Sequence, residues 1–250
     1  MLFVSAAGKA LGVFLWACST WHWTAAACFF LPDSYFLYQV FAPSSQGICR
    51  VFTRFETSLK EVWLTIDDGP DEDDTPRILD LLDASRARAT FFLVGERAER
   101  LPQLVAEILR RGHEVGHHTH THPLSTFWCA TPGRLGAELD DGLRALRSAG
   151  ADPRWFRAPV GIKSPFLDGA LKGRGLGCVG WSVRSYDSVG RDPDRVAARV
   201  MREVRPGAIV LMHEGPAIDS RVRVAAIGRV LSLLSERGFA CVVPASERMR

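Results

Sequence analysis

Charge is nearly missing from the first 49 residues of this 250-residue chain, where only Lys9 and Asp33 carry any. That sets the stretch apart from everything after it. Basic clusters are missing too, and the net charge is only +3, which argues against nucleic acid as a partner. The six cysteines (Cys18, Cys28, Cys49, Cys129, Cys178, Cys241) include no C-x-x-C pair, so a cysteine metal site is not expected. Their expected role is as small buried hydrophobes, with a disulfide open to an exported domain. No internal repeat and no low-complexity linker occurs. The length gives room for one sizeable domain and not comfortably two. Hydrophobic residues at 47% and charged residues at 24% exclude a disordered chain.

Residues 10–31 form an uncharged run about as long as a bilayer span. Three readings compete: an uncleaved membrane anchor, a cleaved signal peptide ending near Ala25-Ala26-Ala27, and a buried hairpin of the soluble domain. Cys28 after three alanines hints at a lipoprotein site, but the usual Leu three places earlier is missing. The run continues through Phe29, Phe30 and Leu31, which favours an anchor over cleavage. Residues 35–41 are apolar and suit a membrane surface. Lys9 ahead of the run, with no basic cluster after it, places the later domain outside the cytoplasm. The expectation is an N-terminal hydrophobic helix and juxtamembrane segment over 1–49 and a catalytic domain over 50–250, membrane-anchored or exported.

From residue 50 onward, short apolar strands alternate with helical patterns. Strands are expected at 62–66, 89–94, 114–116, 155–157, 177–183, 208–212 and 239–243. Helices are expected at 75–83, 104–111, 134–149, 193–204 and 221–237. Strand-helix alternation predicts an α/β domain with a parallel sheet. About seven strands suits a closed or nearly closed barrel, with an open doubly wound sheet as the alternative.

Polar residues gather at the strand ends, where such folds place their chemistry. Asp67-Asp68-Gly69-Pro70 ends the first long strand. Two adjacent carboxylates stay ionised only beside a cation or donors, so one can bind a metal and leave the other as a base; a simple turn is the plainer reading. His118 and His122 stand four apart, which on a helical turn puts both rings on one side. With one carboxylate they form a three-ligand site with open positions. His117 and His120 are expected to point elsewhere. Arg157 at a strand end can hold a carboxylate by a forked hydrogen bond. The Pro159–Gly161 loop can offer backbone N–H groups to an oxyanion. His213 ends an apolar strand, and with Asp187 as partner it can stay protonated and act as an acid.

In this order and spacing, Ile66-Asp-Asp-Gly-Pro70, His118-Thr-x-x-His122, Arg157-x-Pro-x-Gly161, the Trp181–Asp187 segment and Leu211-x-His213 resemble the five motifs of NodB-type polysaccharide deacetylases, carbohydrate esterase family four. The resemblance covers about residues 62–244. It implies a distorted (β/α) barrel and removal of acetyl groups from N-acetylated, or O-acetylated, sugars of a polysaccharide, peptidoglycan or lipid-linked glycan. It implies that Asp68, His118 and His122 bind a divalent metal, zinc by default, with cobalt or nickel fitting the same ligands. Asp67 would be the base and Arg157 its orienting partner. The Val160 N–H would face the oxyanion, His213 would be the acid tuned by Asp187, and Leu211 would line the acetyl pocket.

Three positions depart from the family pattern. His117 replaces a usual Asn, Arg184 stands where Asp is common, and Ser188 where Trp often walls the pocket. Arg184 either meets a phosphate or carboxylate on the substrate or pairs with Asp187 or another acid. Two other functions remain open: a non-haem iron oxygenase, which uses the same ligand types, and a non-catalytic glycan-binding membrane protein. The first leaves Asp67, Arg157 and His213 without roles.

Overall fold

A computed structural model describes residues 2–18, 22–215 and 219–250, with side chains from residue 4 onward. Two helices come first, α1 (Leu2–Cys18) and α2 (His22–Phe41). They run antiparallel. Lys9 pairs with Asp33 at 2.8 Å, and Trp16 packs on His22. Gly8 and Gly12 lie against the α2 backbone at Cys28 and Ala25, so close that a Cβ at either position would sit 2.7 Å from a carbonyl oxygen. The single span expected over 10–31 is therefore divided between two helices. No helix among the described residues is long and apolar enough to cross a membrane. The reason is visible in α2, where Pro32, Asp33, Ser34 and Gln39 interrupt the apolar run. The expected surface segment 35–41 is the end of α2, and its Gln39 and Val40 are buried.

Nine strands follow among the described residues, all paired in parallel: β1 (Val51–Phe52), β2 (Glu61–Gly69), β3 (Ala89–Leu93), β4 (Glu114–His117), β5 (Trp155–Phe156), β6 (Gly177–Val179), β7 (Val183–Arg184), β8 (Ala208–His213) and β9 (Ala240–Cys241). Their order is β1-β6-β5-β4-β3-β2-β8-β7, with β9 beside β2. The helices are α3 (Asp74–Ala84), α4 (Gly95–Arg100), α5 (Pro102–Arg110), α6 (Pro132–Ser148), α7 (Leu167–Lys172), α8 (Pro193–Glu203) and α9 (Ser220–Glu236). The expected strand 177–183 is two strands. Residues 180–182 cross from β6 to β7, joining the sheet's two sides by chain rather than by a ladder. The result is a distorted half-barrel, not a closed one.

β2 is buried on both faces, as a central parallel strand must be. Its alternation sorts two cores. Val62, Leu64 and Ile66 pack outward among Ile78, Leu82, Ile227 and Val230 of the helix layer. Each such fully buried aliphatic side chain contributes about 1.5–3 kcal/mol. Trp63 faces the barrel interior with Phe92, Trp155, Ile209 and Val179. Thr65 and Asp67 continue that inward row toward the strand's end. Cys49, Cys178 and Cys241 are buried as expected, whereas Cys18 and Cys129 are exposed.

Candidate active site

In a regular strand, adjacent residues point to opposite faces. Asp67 and Asp68 escape that rule. The register of β2 against β3 shifts between Asp67 and Gly69, and Asp68 takes φ +74°. This bulge turns the Asp68 carboxylate to the same cavity that Asp67 already faces. Gly69 follows because Glu214 occupies the space where a Cβ would go.

His118 and His122 do not share a helical turn. They sit on the loop after β4, where Thr119 and His122 adopt φ of +65° and +56°. Glu138 of α6 fixes the loop by accepting the backbone N–H groups of His120 and Thr121 and the Thr121 hydroxyl. His117 braces it from below, with Nε2 at 3.0 Å from the Leu139 carbonyl and Nδ1 accepting the Thr119 N–H. His118 Nδ1 lies 2.7 Å from the Arg157 carbonyl, so it carries the proton and leaves Nε2 as a free donor atom.

Asp68 Oδ1 lies 3.1 Å from His122 Nε2 and 3.4 Å from His118 Nε2, and the three ligand atoms fall within 4.8 Å of one another. A tetrahedral ion with bonds near 2.1 Å separates its ligands by about 3.4 Å. Burial pushes the Asp68 pKa up, but His118, His122 and His213 outweigh it and hold the carboxyl well below its usual range. Burial, with His118 beside it, pushes His122 down to about 4. The set is thus one carboxylate and a neutral imidazole at His122, with a second imidazole at His118 oriented by its carbonyl partner. These are the forms that bind a divalent ion.

Arg157 is fully buried in the barrel mouth. Its Nη1 donates to Asp67 Oδ1 at 2.7 Å and to Thr65 Oγ1 at 2.8 Å. Nη2 donates to the Gly180 carbonyl and Nε to that of Val179, and the guanidinium lies 4.2 Å from the Phe92 ring centroid. Asp67 is only 3% exposed, and Oδ2, the oxygen not bonded to Arg157, lies 3.8 Å from His118 Nε2. Past Arg157, Val160 has φ +48° in a tight turn. The N–H groups of Gly161 and Ile162 bond back to Ala158 and Pro159, while that of Val160 has no acceptor among the described residues.

On the other side, Asp187 Oδ1 meets His213 Nδ1 at 2.7 Å, and Oδ2 accepts the His213 backbone N–H at 2.8 Å. Ser185 Oγ completes the carboxylate's shell. Burial alone would depress His213, but Asp187 outweighs it and lifts the pKa to about 9. A cavity of about 200 Å³ joins Asp67, Asp68, His118, His122, His213 and Leu211. Asp67, Asp68, His118, His122, Val160, Leu211 and His213 line it, and Arg157 and Asp187 stand directly behind it. Missed were Glu138, Thr65, and Arg97, which donates to the Asp68 carbonyl. Glu138 and Arg97 come from distant sequence positions and only the fold shows what they meet, while Thr65, two residues before Asp67, gave no sign that it would accept from Arg157.

Residues 55–175 match the polysaccharide deacetylase family. The chain is 38% identical over 204 residues to a chitooligosaccharide deacetylase of Sinorhizobium fredii, covering 76% of this chain and 93% of that protein. It is 33% identical over 193 residues to a peptidoglycan-N-acetylglucosamine deacetylase of Bacillus cereus, covering 76% and 89%. A family 4 carbohydrate esterase from Streptomyces lividans, solved with acetate, matches with a TM-score of 0.68 and 30% identity over 76% of this chain and 96% of that one. The chain belongs to the polysaccharide deacetylase family. The family match stops short of Asp187 and His213, whose place in the site rests on the geometry above.

Proposed function

We propose that the protein is a metal-dependent deacetylase that hydrolyses the N-acetyl group of an amino sugar in a glycan. One observation carries this reading: Asp67, paired with the buried Arg157, and His213, paired with the buried Asp187, line one cavity with the Asp68, His118 and His122 ligand set. An iron oxygenase needs the ligand set and neither pair.

The bound ion, zinc by default, would polarise the acetyl carbonyl and lower the pKa of water beside it. Asp67, held by Arg157, accepts the proton of the attacking water. The Val160 N–H faces the oxygen on which negative charge builds. Leu211 walls the acetyl methyl. His213 then gives its proton to the departing amine, which leaves poorly without it. Acetate release by metal-loaded protein tests the reading, measured on N-acetylglucosamine oligomers, peptidoglycan, acetylated xylan and a lipid-linked amino sugar. Release that stops on chelation and returns with zinc or cobalt is expected. No release from any of them would overturn it.

The Asp187–His213 pair predicts a pH effect. His213 must be protonated to act as an acid, so activity falls as pH rises through its pKa, about 9 before an ion binds. A dication in the site pulls that value down. Removing the carboxylate charge in Asp187→Asn lowers it further, so the alkaline limb of kcat should move to lower pH. An unmoved limb would exclude His213 as the acid. The pair also links to stability. A His raised from 6.5 to about 9 stabilises the fold fully below pH 6.5, and that contribution fades as pH climbs through 9.

For location, we propose a membrane surface outside the cytoplasm. Support comes from the hairpin, where Val13, Phe14, Trp16, Phe30 and Leu31 are exposed and Trp23 is 91% exposed. Recovery of the full chain in the membrane fraction at high salt is expected, and recovery in the soluble fraction would refute it.

A further inference from the structure

Arg184 stands in the wall of the active-site cavity without a counter-charge among the described residues. It ends β7, paired with Leu211 in the sheet, and lines the cavity with Trp181 and Ser188. Its guanidinium rests over the Tyr186 ring at 4.8 Å and near the Trp181 ring at 5.8 Å. Its Nε is buried and has no hydrogen-bond partner among the described residues. The nearby acids are committed elsewhere. Asp187 uses both oxygens on His213, with Ser185 added on one of them. Asp67 is held by Arg157, and Asp68 lies among the imidazoles. The pairing with Asp187 that the sequence left open does not form.

A half-buried guanidinium with an orphaned N–H is costly unless something from outside completes it. Contact with the Tyr186 ring holds the guanidinium at the cavity wall, where its fork can meet an oxygen anion. Positive charge continues outward. Arg199 lies 4.6 Å from the Tyr186 ring, so that ring is bracketed by two guanidiniums. Arg191, Arg195 and Arg199 line the adjoining cleft, where Asp192 is the only carboxylate among the lining residues and is paired with Arg195.

We propose that Arg184 forms an anion subsite of the cleft, which takes a phosphate or carboxylate carried by the sugar whose acetyl group is removed. This rests on the deacetylase reading, and it makes the preferred substrate an acidic amino sugar rather than a neutral oligomer. The test compares acetate release from three N-acetylglucosamine disaccharides: neutral, bearing a 1-phosphate, and bearing a carboxylate ether. The metal-loaded full chain and its Arg184→Gln and Arg184→Lys variants are measured on each. The wild type should favour one of the anionic substrates. Arg184→Gln should lower the anionic-to-neutral ratio of kcat/KM about 10–100-fold, the worth of a charge-assisted hydrogen bond. Arg184→Lys, with charge but no fork, should fall between. Which anion is favoured decides between phosphate and carboxylate. A wild type that shows no anionic preference, or a Gln variant with an unchanged ratio, overturns the proposal. If the wild type released acetate from none of the three, the deacetylase reading itself would be in question. Calorimetric binding of the deacetylated phosphate and carboxylate disaccharides to wild type and Arg184→Gln would then decide the subsite alone. Equal affinity in both proteins would refute it.

Discussion

Asp67→Asn should lower deacetylase turnover by about 10²–10⁴-fold, the usual worth of a positioned general base, and leave bound metal near the wild-type level. The Asn oxygen can still accept from Arg157, which donates to Asp67 Oδ1 at 2.7 Å, so the barrel mouth keeps its shape. What is lost is the second oxygen, which faces the cavity. Metal content should hold because the closest ligand atoms are those of Asp68, His118 and His122. Steady-state kinetics with metal analysis on the same sample checks both halves. Near-normal turnover would remove Asp67 from the chemistry. Lost metal would mean that Asp67 is a ligand as well.

The second large effect concerns stability. Arg157→Met keeps most of the side-chain volume but strands the Asp67 carboxylate, which is 3% exposed. Breaking a buried ion pair from one side typically costs about 3–5 kcal/mol. Burial pushes the Arg157 pKa down while Asp67 pushes it back, so the buried guanidinium leans on its carboxylate partner. The loss should be smaller in Arg157→Met/Asp67→Asn, where no charge is left alone. Urea unfolding of the four proteins measures the coupling. A single variant within about 0.5 kcal/mol of wild type would mean water reaches this site. Activity should vanish in Arg157→Met even at temperatures where it is folded, because Asp67 is no longer held.

Much of this site was legible because polar residues that end apolar runs have few structural uses. Asp67, Arg157 and His213 each follow a strand core, and the fold brings all three to one mouth. Other features were hidden for identifiable reasons. The spacing of His118 and His122 suits a helical turn, and nothing local announces the left-handed residues that carry the loop instead. Glu138, which holds that loop, is far along the chain, and its partners are backbone N–H groups that have no sequence signature. The two-residue strands β1 and β7 are sustained by their neighbours rather than by their own propensity. In the N-terminal region, hydropathy could not separate one span from two packed helices. Gly8 and Gly12, one helical turn apart on the packed face, were the available signal.

The end of α2 also supports the loop that carries Val160. Lys163 is buried, and its ammonium donates to the carbonyls of Ala42 and Pro43 at 2.7 and 3.2 Å, while its N–H reaches the Val40 carbonyl. Pro43 also packs on Gly161, next to Val160. Trimming the chain at residue 50 would therefore remove the packing of Pro43 on Gly161 and loosen the turn that holds Val160. The trimmed chain would also leave the Lys163 ammonium without two of its carbonyl acceptors. A cut before Gln39, inside α2, keeps the Val40, Ala42 and Pro43 carbonyls that hold Lys163.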